Sequence, residues 1–141
     1  MRWSIGITSF HMTRLSLTLG VLFGMLAVLL GAFGAHGLEA HVAAERLATW
    51  ATASVYLALH ALALLALGAL SAQRPRSRLL ALSAWCLIFG TLVFSGSLYI
   101  LVLTDIPAWG AVTPFGGSLL ILGWGLLAVG LWKAFSPNGA R

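Results

Sequence analysis

Four long stretches of this chain hold almost no charge, and short polar or proline-containing breaks separate them. A bilayer core about 30 Å thick is crossed by roughly 20 apolar residues at 1.5 Å per residue. Stretches at about 15–35, 50–72, 79–104 and 113–135 meet that length. The pattern predicts an all-α polytopic membrane protein, a four-transmembrane-helix bundle. Residues 1–14 read as an N-terminal extension, 15–135 as a single transmembrane domain and 136–141 as a C-terminal tail. The first apolar run is longer than the 7–15 residues of a signal-peptide core, so a retained first span is expected. Met12-Thr-Arg-Leu opens that span directly, so Met12 as well as Met1 fits a translation start.

The breaks differ in chemistry. Between spans one and two, Gly37 to Thr49 carries Glu39, His41, Glu45 and Arg46. Its apolar residues Leu38, Val42 and Leu47 are loosely amphipathic and fit a short interfacial helix. Between spans two and three lies Gln73-Arg74-Pro75-Arg76-Ser77-Arg78. Pro75 stops a helix, and three arginines resist hydrocarbon. Asp105-Ile106-Pro107 ends the third span, and Trp109 suits an interfacial belt.

Composition narrows the class further. Of the 141 residues 60% are hydrophobic and only 8% charged, where a soluble domain carries roughly 25% charged residues. A soluble globular domain, a disordered chain and a disulfide-rich module are all excluded. The net charge of +5 does not mark a nucleic-acid binder, because no basic tract or face exists. The basic residues instead sort by side. Arg2, Arg14, Arg74, Arg76, Arg78, Lys133 and Arg141 share the side of the termini and the middle loop. Arg46 lies opposite, with all three acids. That asymmetry predicts a membrane protein with both termini cytoplasmic.

Helices in lipid gain little from apolar contact, so small residues should line their interfaces. Gly20, Gly24, Ala27, Gly31 and Gly34 form one such stripe in the first span. Ala58, Ala61, Leu65, Gly68 and Ala72 follow the same rhythm in the second. Ser83, Cys86, Gly90 and Ser97 follow in the third, and Gly116, Gly123 and Gly130 in the fourth. Two uses stay open: packing within the monomer, or docking on a second copy or another membrane subunit. Otherwise the expected partner is the lipid bilayer.

Candidate chemistry is sparse. No metalloprotease motif, phosphate loop, dinucleotide fingerprint or Cys-x-x-Cys is present, and Cys86 stands alone. His60 lies about ten residues into the second span, near the midplane, where polar groups are costly. Thr52, Tyr56 and His60 share a helix face. Ser95 and Tyr99 on the antiparallel third span match His60 and Tyr56 in depth. A Tyr56–His60–Ser95–Tyr99 polar cluster is therefore expected, with His36 at the end of the first span. Two readings stay open. The cluster knits helices together, or it forms a small-molecule, quinone or redox site. His36 and His60 differ too much in depth for a bis-histidine haem. No catalytic residue, metal or cofactor is expected.

Several strings carry a resemblance. They are Gly31-Ala-Phe-Gly-Ala-His36 with Leu38, and Trp50 with Thr52-Ala53, Tyr56 and His60-Ala-Leu. Gly90 with Phe94-Ser-Gly-Ser-Leu-Tyr99 follows, then Thr113-Pro114 with Gly116-Gly117 and Gly123-Trp124. In this order the chain resembles the YgdD-like family of small bacterial inner-membrane proteins, domain of unknown function 423, related to animal transmembrane protein 256. The resemblance runs from about Leu15 to Trp132, and residues 1–11 precede the family's usual start. It implies a four-pass protein of the bacterial inner membrane and no particular reaction. It also implies that His36, Tyr56, His60, Ser95 and Tyr99 belong to the family pattern.

Overall fold

The structure is a computed structural model that describes residues 4–73 and 77–136. The expectations for Arg2, Arg74, Pro75, Arg76 and Arg141 lie outside the described residues. Four long helices are present: α1 (Ser4–Phe33), α2 (Ala44–Gln73), α3 (Arg78–Thr104) and α4 (Thr113–Phe135). Among the described residues there is no strand. Every helix contains a stretch long and apolar enough to cross a membrane.

The helix ends follow local chemistry. Ser77 caps α3 by accepting from the Leu80 N–H, 3.4 Å away. Asp105 closes α3 in the left-handed region, φ 52°, with its N–H on the Leu101 carbonyl. Asp tolerates that conformation better than most residues with a Cβ. A short 3₁₀ turn (Pro107–Ala111) follows, and Pro114 sits in the first turn of α4, where its missing N–H costs little.

Two boundaries differ from the pattern-based expectation. Helix α1 begins near Ser4 and not near Leu15, because helical backbone continues past the apolar run. The connection from α1 to α2 contains no separate interfacial helix. Gly34–Leu38 winds on from α1 as a π turn, and residues from Ala44 already belong to α2. No glycine or proline lies between Ala44 and Trp50 to stop propagation. Glu45 in the first turn also suits the positive end of the helix dipole.

The helices pack in chain order. Helix α2 lies between α1 and α3, and α4 packs on α3. Helix α1 touches α3 lightly, and among the described residues the α4 backbone approaches neither α1 nor α2. The arrangement is a folded ribbon of helices, with α2 and α3 central. Accordingly, half of the apolar stretch of α2 is buried against 22% of that of α1.

One device recurs in both outer pairs. A Cβ on Gly20 of α1 would meet the Leu65 side chain of α2, and one on Gly68 would meet Leu17. In the same way Gly90 of α3 receives Leu120 of α4, and Gly123 receives Leu87. Each helix thus carries a Leu-x-x-Gly step, and the steps interlock reciprocally, leucine into glycine. Dispersion contacts between closely approaching backbones hold such pairs where the hydrophobic effect cannot. The stripes read from the sequence are in this respect intramolecular.

Candidate functional site

Hydroxyls and ring nitrogens inside a bilayer need partners, since hydrocarbon offers none. Many here bond to the carbonyl one turn back. Thr52 bonds Ala48, Ser54 bonds Trp50, and Thr91 bonds Leu87, at 2.6–3.1 Å. Three others cross between helices onto backbone oxygen. Trp50 Nε1 donates to the Leu30 carbonyl at 2.7 Å, joining α2 to α1. Ser95 Oγ donates to the Ala53 carbonyl at 2.9 Å, joining α3 to α2. Ser83 Oγ donates to the Gly123 carbonyl at 2.8 Å, joining α3 to α4. Each neighbouring helix pair therefore has a side-chain clasp on main chain.

The expected four-residue cluster divides in two. His60 is buried, and Tyr56 stacks over it with ring centroids 5.9 Å apart. His60 Nδ1 lies 2.7 Å from the Tyr56 carbonyl. A carbonyl only accepts, so Nδ1 carries the proton and Nε2 is left as the acceptor. Trp124 of α4 fills that role, its indole N–H donating to Nε2 at 3.2 Å. Both ring nitrogens are engaged, and the imidazole is in its neutral Nδ1–H form. Metal ligation would require one of these bonds to break.

Tyr99 belongs to a second group, nearer the end of the molecule that holds Glu39, Glu45 and Asp105, here the acidic end. Its hydroxyl donates to Ser54 Oγ at 3.0 Å, and its ring lies 4.5 Å from that of Trp50. Ser95 does not reach the depth of His60: it bonds the Ala53 carbonyl, seven residues or about two turns away on α2, so the two do not meet. His36 is exposed on the π turn and joins neither group. At the acidic end Arg46 reaches Asp105, with Nη2 to Oδ1 at 2.6 Å. Among the described residues no group of His, Cys, Asp and Glu could hold a metal ion. One buried side-chain polar atom, Ser16 Oγ, lacks a partner among them.

Trp124 and Trp50 are the participants that hydropathy reading missed. Both contribute an indole N–H, a single donor that pattern analysis counts as part of an apolar residue. A tryptophan on the fourth span, about as far from the outer end as His60 is on the second, is the signal that could have pointed to Trp124.

The π turn has its own consequence. Trp50 is buried, and its indole stands where a Cβ on Gly34 would be. Beside it, a groove of about 380 Å³ runs between α1 and α2, with Gly31 and Ala35 on one wall and Ala51 and Val55 on the other.

The model for a protein family of unknown function, DUF423, matches residues 30–117. The chain belongs to the DUF423 family. The matched stretch of this DUF423 chain contains both polar groups except Trp124. A UPF0382 membrane protein of Staphylococcus saprophyticus is 47% identical over 120 residues, covering 85% of this chain and 98% of the relative. One from Staphylococcus aureus is 43% identical, again with 85% of this chain covered and 97% of the relative. The UPF0382 membrane protein YwdK of Bacillus subtilis is 38% identical, with 85% and 98% covered. No solved structure matches. The DUF423 chain is thus an all-helical membrane protein of a family without an assigned function.

Proposed function

We propose that this DUF423 protein is a non-catalytic component of the bacterial inner membrane, acting as an accessory or assembly partner of other membrane subunits. The observation that carries the reading is the internal use of its polar side chains. Both nitrogens of His60, and the hydroxyls of Ser54, Ser95 and Tyr99, are spent on contacts within the chain. What remains outward is apolar surface on all four helices, including Val28, Leu62, Leu103, Ile121 and Trp132. The bias of basic residues toward one end supports termini on the cytoplasmic side. The competing reading, a small-molecule, quinone or redox-cofactor site at His60, would need that imidazole to leave Trp124 or the Tyr56 carbonyl.

The test is gentle extraction from native membrane followed by native mass measurement. A stoichiometric protein partner, or a second copy, is the expected result. A lone monomer in every mild detergent overturns the proposal. A visible chromophore on the purified chain would favour the competing site.

A further inference from the structure

The groove beside Trp50 is formed by small residues. Gly31 has nothing within 4 Å of where its Cβ would stand, and Ala35 and Ala51 leave the space between α1 and α2 open. The wall carries one hydroxyl, that of Ser54. It is already engaged, donating to the Trp50 carbonyl and accepting from Tyr99, so the groove presents no polar surface. Its volume of about 380 Å³ falls in the range of small-molecule sites, roughly 300–1,000 Å³. Along α2 it runs from Leu47 to Val55, eight residues apart and so about 12 Å. That approaches half of a hydrocarbon core about 30 Å thick, the depth of a single leaflet.

The groove reaches the acidic end of the molecule. Glu39 follows Ala35 by one helical turn, and Glu45 precedes Leu47 by two residues. Both are exposed, and among the described residues neither forms an ion pair, whereas Arg46 is taken by Asp105. A molecule lying in the groove therefore has apolar walls along its length and an uncompensated carboxylate, Glu39, one turn beyond Ala35 at its head, while Glu45 sits on the opposite face of α2 from the lining residues.

We propose that this groove binds one acyl chain of a membrane phospholipid whose headgroup carries an amine, with the ammonium facing Glu39. The length along the groove suits a chain hanging from the adjacent leaflet. The charge at the mouth disfavours an anionic headgroup and favours a zwitterionic one that exposes its cation. The site is independent of the accessory role, which concerns protein partners on other surfaces.

The experiment uses the full chain in nanodiscs of equal phosphatidylethanolamine and phosphatidylglycerol. It is released into mild detergent, and its retained lipids are read by native mass spectrometry. Wild type should carry about one phosphatidylethanolamine per chain. Gly31→Leu fills the groove where no atom obstructs a Cβ, and should lower that occupancy at least fivefold. Gly125→Leu is the control, since Gly125 is equally open but lies on α4, away from the groove. It should keep the lipid. Glu39→Gln should erase the preference for phosphatidylethanolamine over phosphatidylglycerol, and Glu45→Gln, on the far face of α2, should keep it. Unchanged thermal unfolding of Gly31→Leu shows that the variant folds. Absence of retained lipid in wild type, equal occupancy in Gly31→Leu, or a preference for phosphatidylglycerol each overturns the proposal. A covalent cross-link through this face to a second copy, lost in Gly31→Leu, overturns it as well. Lipid adducts and protein partners differ in mass, so either proposal can fail while the other stands.

Discussion

The α1–α2 pair and the α3–α4 pair are built on the same interlock and finished differently. In each pair, two Leu-x-x-Gly steps exchange leucines for the space above glycines. Toward the acidic end they diverge. In α3–α4, a Cβ on Gly116 would run into the Phe94 backbone, and Ser97 meets Thr113 across the pair at 2.8 Å. That junction is closed. In α1–α2, the π turn and Gly31, Ala35 and Ala51 leave a groove with Trp50 behind it. The shared interlock accounts for stability, and the divergence marks where one pair has room for something that is not protein.

The largest effect should come from closing space that is already closed. Gly116→Leu places a branched side chain against the Phe94 backbone, which cannot give way as a side-chain tip can. Overpacking of this kind costs about 1–3 kcal/mol or more. Unfolding by denaturing-detergent titration should show a loss at or above the top of that range. A wild-type midpoint would mean that the α3–α4 junction is looser than its geometry.

Next come the interlocks. Gly20→Val and Gly90→Val each push one leucine out of its seat and should cost about 1–3 kcal/mol apiece by the same titration. Similar losses would establish the two pairs as equivalent. A much smaller loss for Gly20→Val would show that α1 docks more loosely than α4.

His60→Leu removes a bond to Trp124 and one to Tyr56. Membrane double-mutant cycles average about 0.6 kcal/mol per such bond, with a maximum near 1.7. A loss of about 1–2 kcal/mol is expected, shared by Trp124→Phe, and the double variant should cost less than the sum. Full additivity would break the link between α4 and α2. The smallest change belongs to Asp105→Asn, which weakens an exposed ion pair worth about 0.2–1 kcal/mol. Raising the salt concentration should shrink the difference from wild type further.

Much of the fold could be read in the sequence because the bilayer imposes it. Length and the absence of charge located all four helices, and α4 begins at Thr113 and ends at Phe135 as expected. The small-residue stripes were legible because close approach in lipid demands them. Which stripe faces which was not, since that depends on rotation about each helix axis. Ser95 was misplaced for a different reason, the axial register of α3 against α2: it meets Ala53, about two turns from His60, and the indole of Trp124 takes the histidine instead. The π turn was illegible for another reason. Gly34 and Gly37 look like two more small residues in a stripe, and only the placement of Trp50 and Phe33 against them shows the need.

Packing in chain order also bears on how the molecule is made. Both interlocks close between consecutive helices, so contacts of short sequence separation can form while later segments are still being synthesised. The first hairpin has what it needs once Gln73 has emerged, and the second repeats the step. The indole of Trp124, reaching past α3 to His60, comes last in that order. It acts as a latch between two preassembled halves, and a fluorescence change at that tryptophan would time their union.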